Sequence, residues 1–299
     1  MLTRFRPGPS LQEQVEQLGL LADLSGRWSG RGFNLISLPD FDSTPPSTGP
    51  KPFRVLLSAT HETLELEPIG AHVPNRGSES QAAPTTGQPD ITLFGLRYLQ
   101  RINDVDSHEP LHIENGFWLN VPSSAIPKED PSIVRQGSIP HGSSILAQGK
   151  AFESQDGKPK FATLDSTPQR NPAGAALSSN YLEPLTTATL PARITNKDAV
   201  KNPNVVLADA IQPFIEHMTA TTVLSISSKT AGGVLNIPFL QNTTNNNAAA
   251  TAIEATFWIE TVQPDKGHPF QLLQYSQIVT LNFLGIDWPH ISVATLFRQ

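Results

Sequence analysis

Apolar and polar positions along the chain change period once, near the N-terminus. Leu11, Val15, Leu18 and Leu21 or Leu24 recur at helical spacing behind Ser10, a good helix cap, and Glu13 three positions on completes a capping box. This predicts one short amphipathic helix over residues 10–25. From Gly26 onward the pattern becomes that of strands: 26–38, 53–69, 91–105, 111–121, 133–152, 220–239, 252–262 and 270–297, the last broken near Gly285-Ile286-Asp287. Each run is rich in β-branched, leucine or aromatic residues and is bounded by Pro, Gly, Asp or Ser clusters. The short polar link between Asp104 and Pro110 makes its flanking strands an antiparallel pair.

Over residues 154–205 the period fades into Pro, Thr, Ser, Asn and Ala, which reads as a long loop insertion serving as a lid or binding loop, or disordered. Eight to ten strands without a βαβ rhythm predict an all-β fold. The expected architecture is an antiparallel up-and-down β-barrel of about 8–10 strands, with a short N-terminal helix and an interior able to hold one small ligand. A flattened sandwich is the competing arrangement. The whole chain, 1–299, is read as a single barrel domain.

Composition narrows the function. With 27 Pro and 20 Gly in 299 residues and only 16% charged residues, the chain is built for turns and strands. A net charge of -6 with scattered Lys and Arg lacks the basic stripe of a nucleic-acid binder. No Cys is present, so disulfides, thiolate metal sites and thiol catalysis are excluded. No apolar run is long enough for a helical membrane span, and the basic start Met1–Pro9 leads into no signal-peptide core, so a cytoplasmic location is expected. The sequon Asn242-Thr243-Thr244 is then a polar loop rather than a glycan site. Phosphate loops, nucleophile elbows, His-Glu-x-x-His and paired catalytic carboxylates are all missing from the sequence.

Four segments carry candidate chemistry. Gly26-x-Trp28-x-Gly30-x-Gly32 needs little side-chain volume at alternate positions, which suits a sharply bent first strand with Trp28 filling one end of a barrel. His112 and Glu114 share a strand face and would form a polar pair, either structural or solvent-facing. His141, between Pro140 and Gly142 inside an apparent strand, suggests a bulge and a second imidazole near the site. In the closing strand His290 stands with Ser292, Ala294 and Leu296 on one face, where small neighbours leave room for a planar ligand; a barrel-rim histidine is the plainer alternative.

Three of these segments occur in the order found in one family. Gly26, Trp28 and Gly30, then Pro110, His112, Glu114 and Gly116-Phe117, then His290-Ile291-Ser292-Val293 give the chain a pattern that resembles the nitrobindins, haem-binding calycin-type barrels also found as the C-terminal domain of a THAP-type protein. The resemblance implies haem b held through His290 as metal ligand; His141 is the candidate for a distal contact, and Trp28 of the opening motif a further cofactor-binding residue. It also implies nitric oxide or peroxynitrite as small partners, and, if the protein is an enzyme, peroxynitrite isomerase or peroxidase-like activity. The chain is almost twice the length of such a domain, and its insertions would cap the mouth or fill the haem space. The alternative is a haem-free carrier or sensor of a fatty acid or other small apolar ligand, its carboxylate met by Arg97, Arg101 or Arg135. A barrel with a filled core, acting only structurally, is the third reading.

Overall fold

The structure is a computed structural model that describes residues 10–39, 53–69, 73–75, 77–78, 87–171, 173, 177, 181–241, 247–283 and 285–299. The basic N-terminus, the 43–52 loop, much of 70–89 and the sequon at Asn242 lie outside them.

Ten long strands, β1 (Gly26–Pro39), β2 (Phe53–Pro68), β3 (Ile91–Asp104), β4 (Pro110–Val121), β5 (Ser132–Ile139), β6 (Ser143–Glu153), β7 (Met218–Asn236), β8 (Ala249–Val262), β9 (Phe270–Phe283) and β10 (Ile286–Arg298), pair antiparallel in sequence order. Pairing of β10 with β1, from Trp28↔Arg298 to Leu35↔Ile291, closes the sheet into an up-and-down barrel. The glycines of the first strand have a steric cause. A Cβ at Gly30 would lie 2.1 Å from the Thr295 carbonyl oxygen, and one at Gly32 2.4 Å from that of Val293, so β1 approaches β10 too closely for any side chain there.

Two boundaries differ from the sequence expectation. The 10–25 helix is two pieces, α1 (Leu11–Leu18) and a 3₁₀ segment Gly19–Leu24, because Gly19 at φ 55° interrupts the α-helical course. The run 133–152 is a hairpin, not one bulged strand. Pro140, which lacks a ladder N–H, together with His141 and Gly142 forms the turn, closed by Gly142 N–H donating to the Ile139 carbonyl at 2.9 Å.

Alternation along each strand sorts the side chains. Inward residues at one end, Trp28, Leu66, Leu96, Trp118, Phe257, Leu273 and Leu296, form an apolar plug sealed from below by Leu18, Leu21 and Leu24. The plug is fixed by the Trp28 indole N–H, which donates to the Leu24 carbonyl at 2.9 Å.

The described part of the insertion packs on the outer wall, and at the mouth end its Leu177 and Tyr181 join the apolar cluster of Phe53, Phe283, Trp288, Val234 and Val279. Extending to residue 217, it carries the helical turn α2 (Glu183–Thr187) and helix α3 (Asn204–Ile211) across the outer wall. There Leu185, Ala199, Val200 and Leu207 pack on outward Phe33, Leu35, Val223, Trp258, Ile291 and Val293. These outward positions are apolar, unlike those of a barrel with a wholly solvated exterior, and they need a cover. The Gln274 side-chain amide adds a hydrogen bond to the Leu207 carbonyl at 3.0 Å.

Candidate functional site

Above the apolar plug the barrel interior turns polar, and the strand register explains how residues far apart in sequence meet. Glu62 on β2 faces Ile102 on β3, with Gln100 two positions along the same inward face, and Gln100 faces Glu114 on β4. Arg135 comes inward from β5, opposite Trp118. Tyr275 and Gln277 reach in from β9 across the barrel.

Two linked carboxylate centres result. Glu114, fully buried, accepts from Arg135 Nη2 at 2.8 Å and from the Tyr98 hydroxyl on one oxygen, and pairs with His112 Nε2 at 3.2 Å on the other. Burial alone would raise its pKa. Arg135, and after it His112 and Tyr98, outweigh that and hold it at about 2. An ionised carboxylate only accepts, so the His112 Nε2 carries the proton in this contact. Arg135 is itself boxed by the rings of Tyr98, Trp118 and Phe257, with its Cζ 5.5, 5.7 and 5.5 Å from their centroids, and donates to Gln277 Oε1 at 2.8 Å. Burial works against its charge, and Glu114 keeps it charged.

Glu62 accepts from the Tyr275 hydroxyl at 2.6 Å and from Gln100 Nε2 at 2.7 Å. Neither donor is charged and Arg135 is committed to Glu114, so burial dominates and lifts the Glu62 pKa to about 7. One buried carboxylate is thus an anion and the other a proton-exchanging group near neutrality.

Above this polar floor three histidines converge on the mouth. His112 and His141 meet edge to face with ring centroids 5.1 Å apart. His290, inward on β10 opposite Val279, is electrostatically coupled to both. Burial, reinforced by repulsion from His112 and His141, pulls its pKa down to about 4, so the imidazole is neutral at physiological pH. It makes no hydrogen bond among the described residues and is only half-buried. Around the same mouth, inward Ile36, Ile139, Val234 and Val279 are partly accessible and Leu56 is 42% exposed, which makes this end of the barrel apolar.

The structure therefore brings together His290 and His141, and adds His112. It separates Trp28 from them. Trp28 is paired with Arg298, eight residues along β10 from His290 and so about 25 Å away at the rise of an extended strand, which is too far for one small ligand to touch both. Of the arginines, Arg97 and Arg101 face outward beside Glu67 and Glu65. Only Arg135 is interior, and it is already paired with Glu114. Glu62, Gln100, Tyr98, Tyr275 and Gln277 were not anticipated. The available signal was their strand parity with Leu64, Leu66, Leu96 and Leu273, which points them inward.

No group of three or more His, Asp or Glu side chains able to hold a metal ion by themselves occurs among the described residues. Among the described residues no helix is long and apolar enough to cross a membrane. Neither a known family profile nor any curated protein sequence matches the chain. The crystal structure of Rv2717c from M. tuberculosis is similar with a TM-score of 0.46 and 14% identity, over 95% of this chain and 98% of that one. That likeness is too distant to argue from, and the barrel assignment rests on the strand pairing itself.

Proposed function

We propose that the histidine-bearing mouth of the barrel binds a planar, largely apolar cofactor, haem b, with His290 as the axial ligand. The observation that carries this reading is the state of His290: inward, neutral, partly accessible, without a hydrogen-bond partner among the described residues, and at an end of the barrel lined by apolar side chains. These residues fit the group, because haem iron takes a neutral imidazole nitrogen and a dry surround retains the porphyrin. When bound, haem would supply an iron centre for a small oxidant or diatomic, and the family resemblance points to nitric oxide or peroxynitrite.

The chain's own side chains do the rest. Ile36, Leu56, Val234 and Val279 supply apolar surface at the mouth for the porphyrin to cover. Glu114 fixes the tautomer of His112, which with His141 is able to hold or move a proton beside the ligand. A carrier of carboxylate ligands within the barrel has less support, since Arg97 and Arg101 face outward and Arg135 is neutralised by Glu114. Titration of the apoprotein with haemin tests the proposal: a Soret band saturating at one equivalent is expected, lost or strongly weakened in His290→Ala. Equal binding by the variant would overturn the assignment of His290, and no band in either protein would overturn haem as the ligand.

A further inference from the structure

We infer that the groove between the outer wall and the insertion, on the β1–β2–β10 side, is a second binding site that takes a single-chain carboxylate amphiphile. The groove has a volume of about 510 Å³, a size that accommodates a small organic ligand. It is walled by the outer faces of β1, β2 and β10 on one side and by Arg193, Ile194 and α3 on the other.

Its charge is one-signed. Arg31 faces outward from β1 in register with His61 on β2 and with Thr295 on β10. Basic side chains directly opposed on neighbouring strands weaken a sheet unless an anion lies between them. Arg31 is exposed and makes no ion pair or hydrogen bond among the described residues, where the one hydrogen-bond partner of His61 is Ser29 Oγ, at 3.3 Å. Across the groove Arg193 has a loose pair with Asp106 at 3.7 Å, both half-exposed, and no acidic side chain lines the groove itself. Arg31 and the His61 imidazole, with Arg193 held only loosely by Asp106, thus offer the donor set that a carboxylate head requires.

The apolar half lies alongside. Phe297 is the next outward residue on β10 after Thr295, about 7 Å along the strand, and remains 41% exposed. Val206 and Ala210, one turn apart on α3, present a second apolar surface to the same groove, with Ile194 beside them. A carboxylate between Arg31 and Arg193 would lay its alkyl chain over Phe297, Val206 and Ala210. The carboxylate recognition that the barrel interior lacks is therefore available outside it, independently of what the mouth binds.

Isothermal titration with decanoate and with 1-decanol, on wild type, on Arg31→Gln/Arg193→Gln and on His290→Trp, tests this. Decanoate is expected to bind wild type at least tenfold more tightly than decanol, and to weaken tenfold or more in the double arginine variant and at high salt. His290→Trp, which obstructs the barrel mouth, should leave decanoate affinity unchanged. Equal affinities for decanoate and decanol, an unaffected arginine variant, a loss confined to His290→Trp, or no binding to wild type at millimolar decanoate would each overturn the proposal.

Discussion

His112 and Glu114, two residues apart on β4, join the charged floor of the barrel to its histidine mouth: the carboxylate that pairs with Arg135 on one oxygen meets His112 Nε2 at 3.2 Å on the other. Removing the carboxylate would leave the Arg135 guanidinium buried and unpaired. Glu114→Leu should therefore cost about 3–5 kcal/mol in urea denaturation, the usual penalty for breaking a buried pair. Replacing both partners, as Glu114→Leu/Arg135→Met, should recover most of that loss. A single variant as stable as wild type would contradict the pairing.

Glu62 links stability to pH with a definite sign. Its pKa rises from 4.5 to about 7 on folding, so between those values the unfolded chain binds fewer protons than the folded one. Its contribution is fully present below pH 4.5 and is lost as the pH rises through 7, a change of up to about 3 kcal/mol. Glu62→Gln should keep the hydrogen bond from Tyr275 and flatten the fall in stability over that window. An unaltered slope in the variant would show that Glu62 is not buried as a neutral acid.

The insertion depends on a few apolar contacts with the outer wall. Leu207 is fully buried between α3 and the barrel. Truncating it to Ala should destabilise the protein by about 2–5 kcal/mol and expose residues 154–217 to limited proteolysis ahead of the barrel strands. Unchanged proteolysis would mean that the insertion is held mainly by other contacts.

His290 carries the opposite linkage to Glu62. Its pKa falls from 6.5 to about 4 on folding, so the unfolded chain takes up the extra proton between those values and the apoprotein loses stability as the pH drops. Against a background of many titrating carboxylates the readout is a difference: wild type should lose up to about 3 kcal/mol more than His290→Ala between pH 6.5 and 4. Parallel pH profiles would place His290 in contact with water.

Much of this architecture was legible in local pattern. The Ser10 cap is real, its Oγ accepting from the Glu13 N–H at 3.1 Å, and the inward face of His290, Ser292, Ala294 and Leu296 followed from period two alone. Other features are not local. The Glu62–Tyr275 contact joins residues 213 positions apart, so only the strand register reveals it. Apolar outward positions such as Phe33 and Ile291 read as ordinary strand alternation until the insertion is seen to cover them. The turn at Pro140-His141-Gly142 lies within a continuous strand-like pattern, although its Pro and Gly were the cue to a break.

The central claim is that the His290 imidazole itself holds a haem at the barrel mouth, and the most direct measurement replaces that ring from solution. His290→Gly, titrated with haemin in the absence and presence of free imidazole, should bind weakly without it and regain a wild-type-like Soret spectrum and slow haem loss when it is added. Haem binding by His290→Gly that is indifferent to imidazole and equal to wild type would contradict the account.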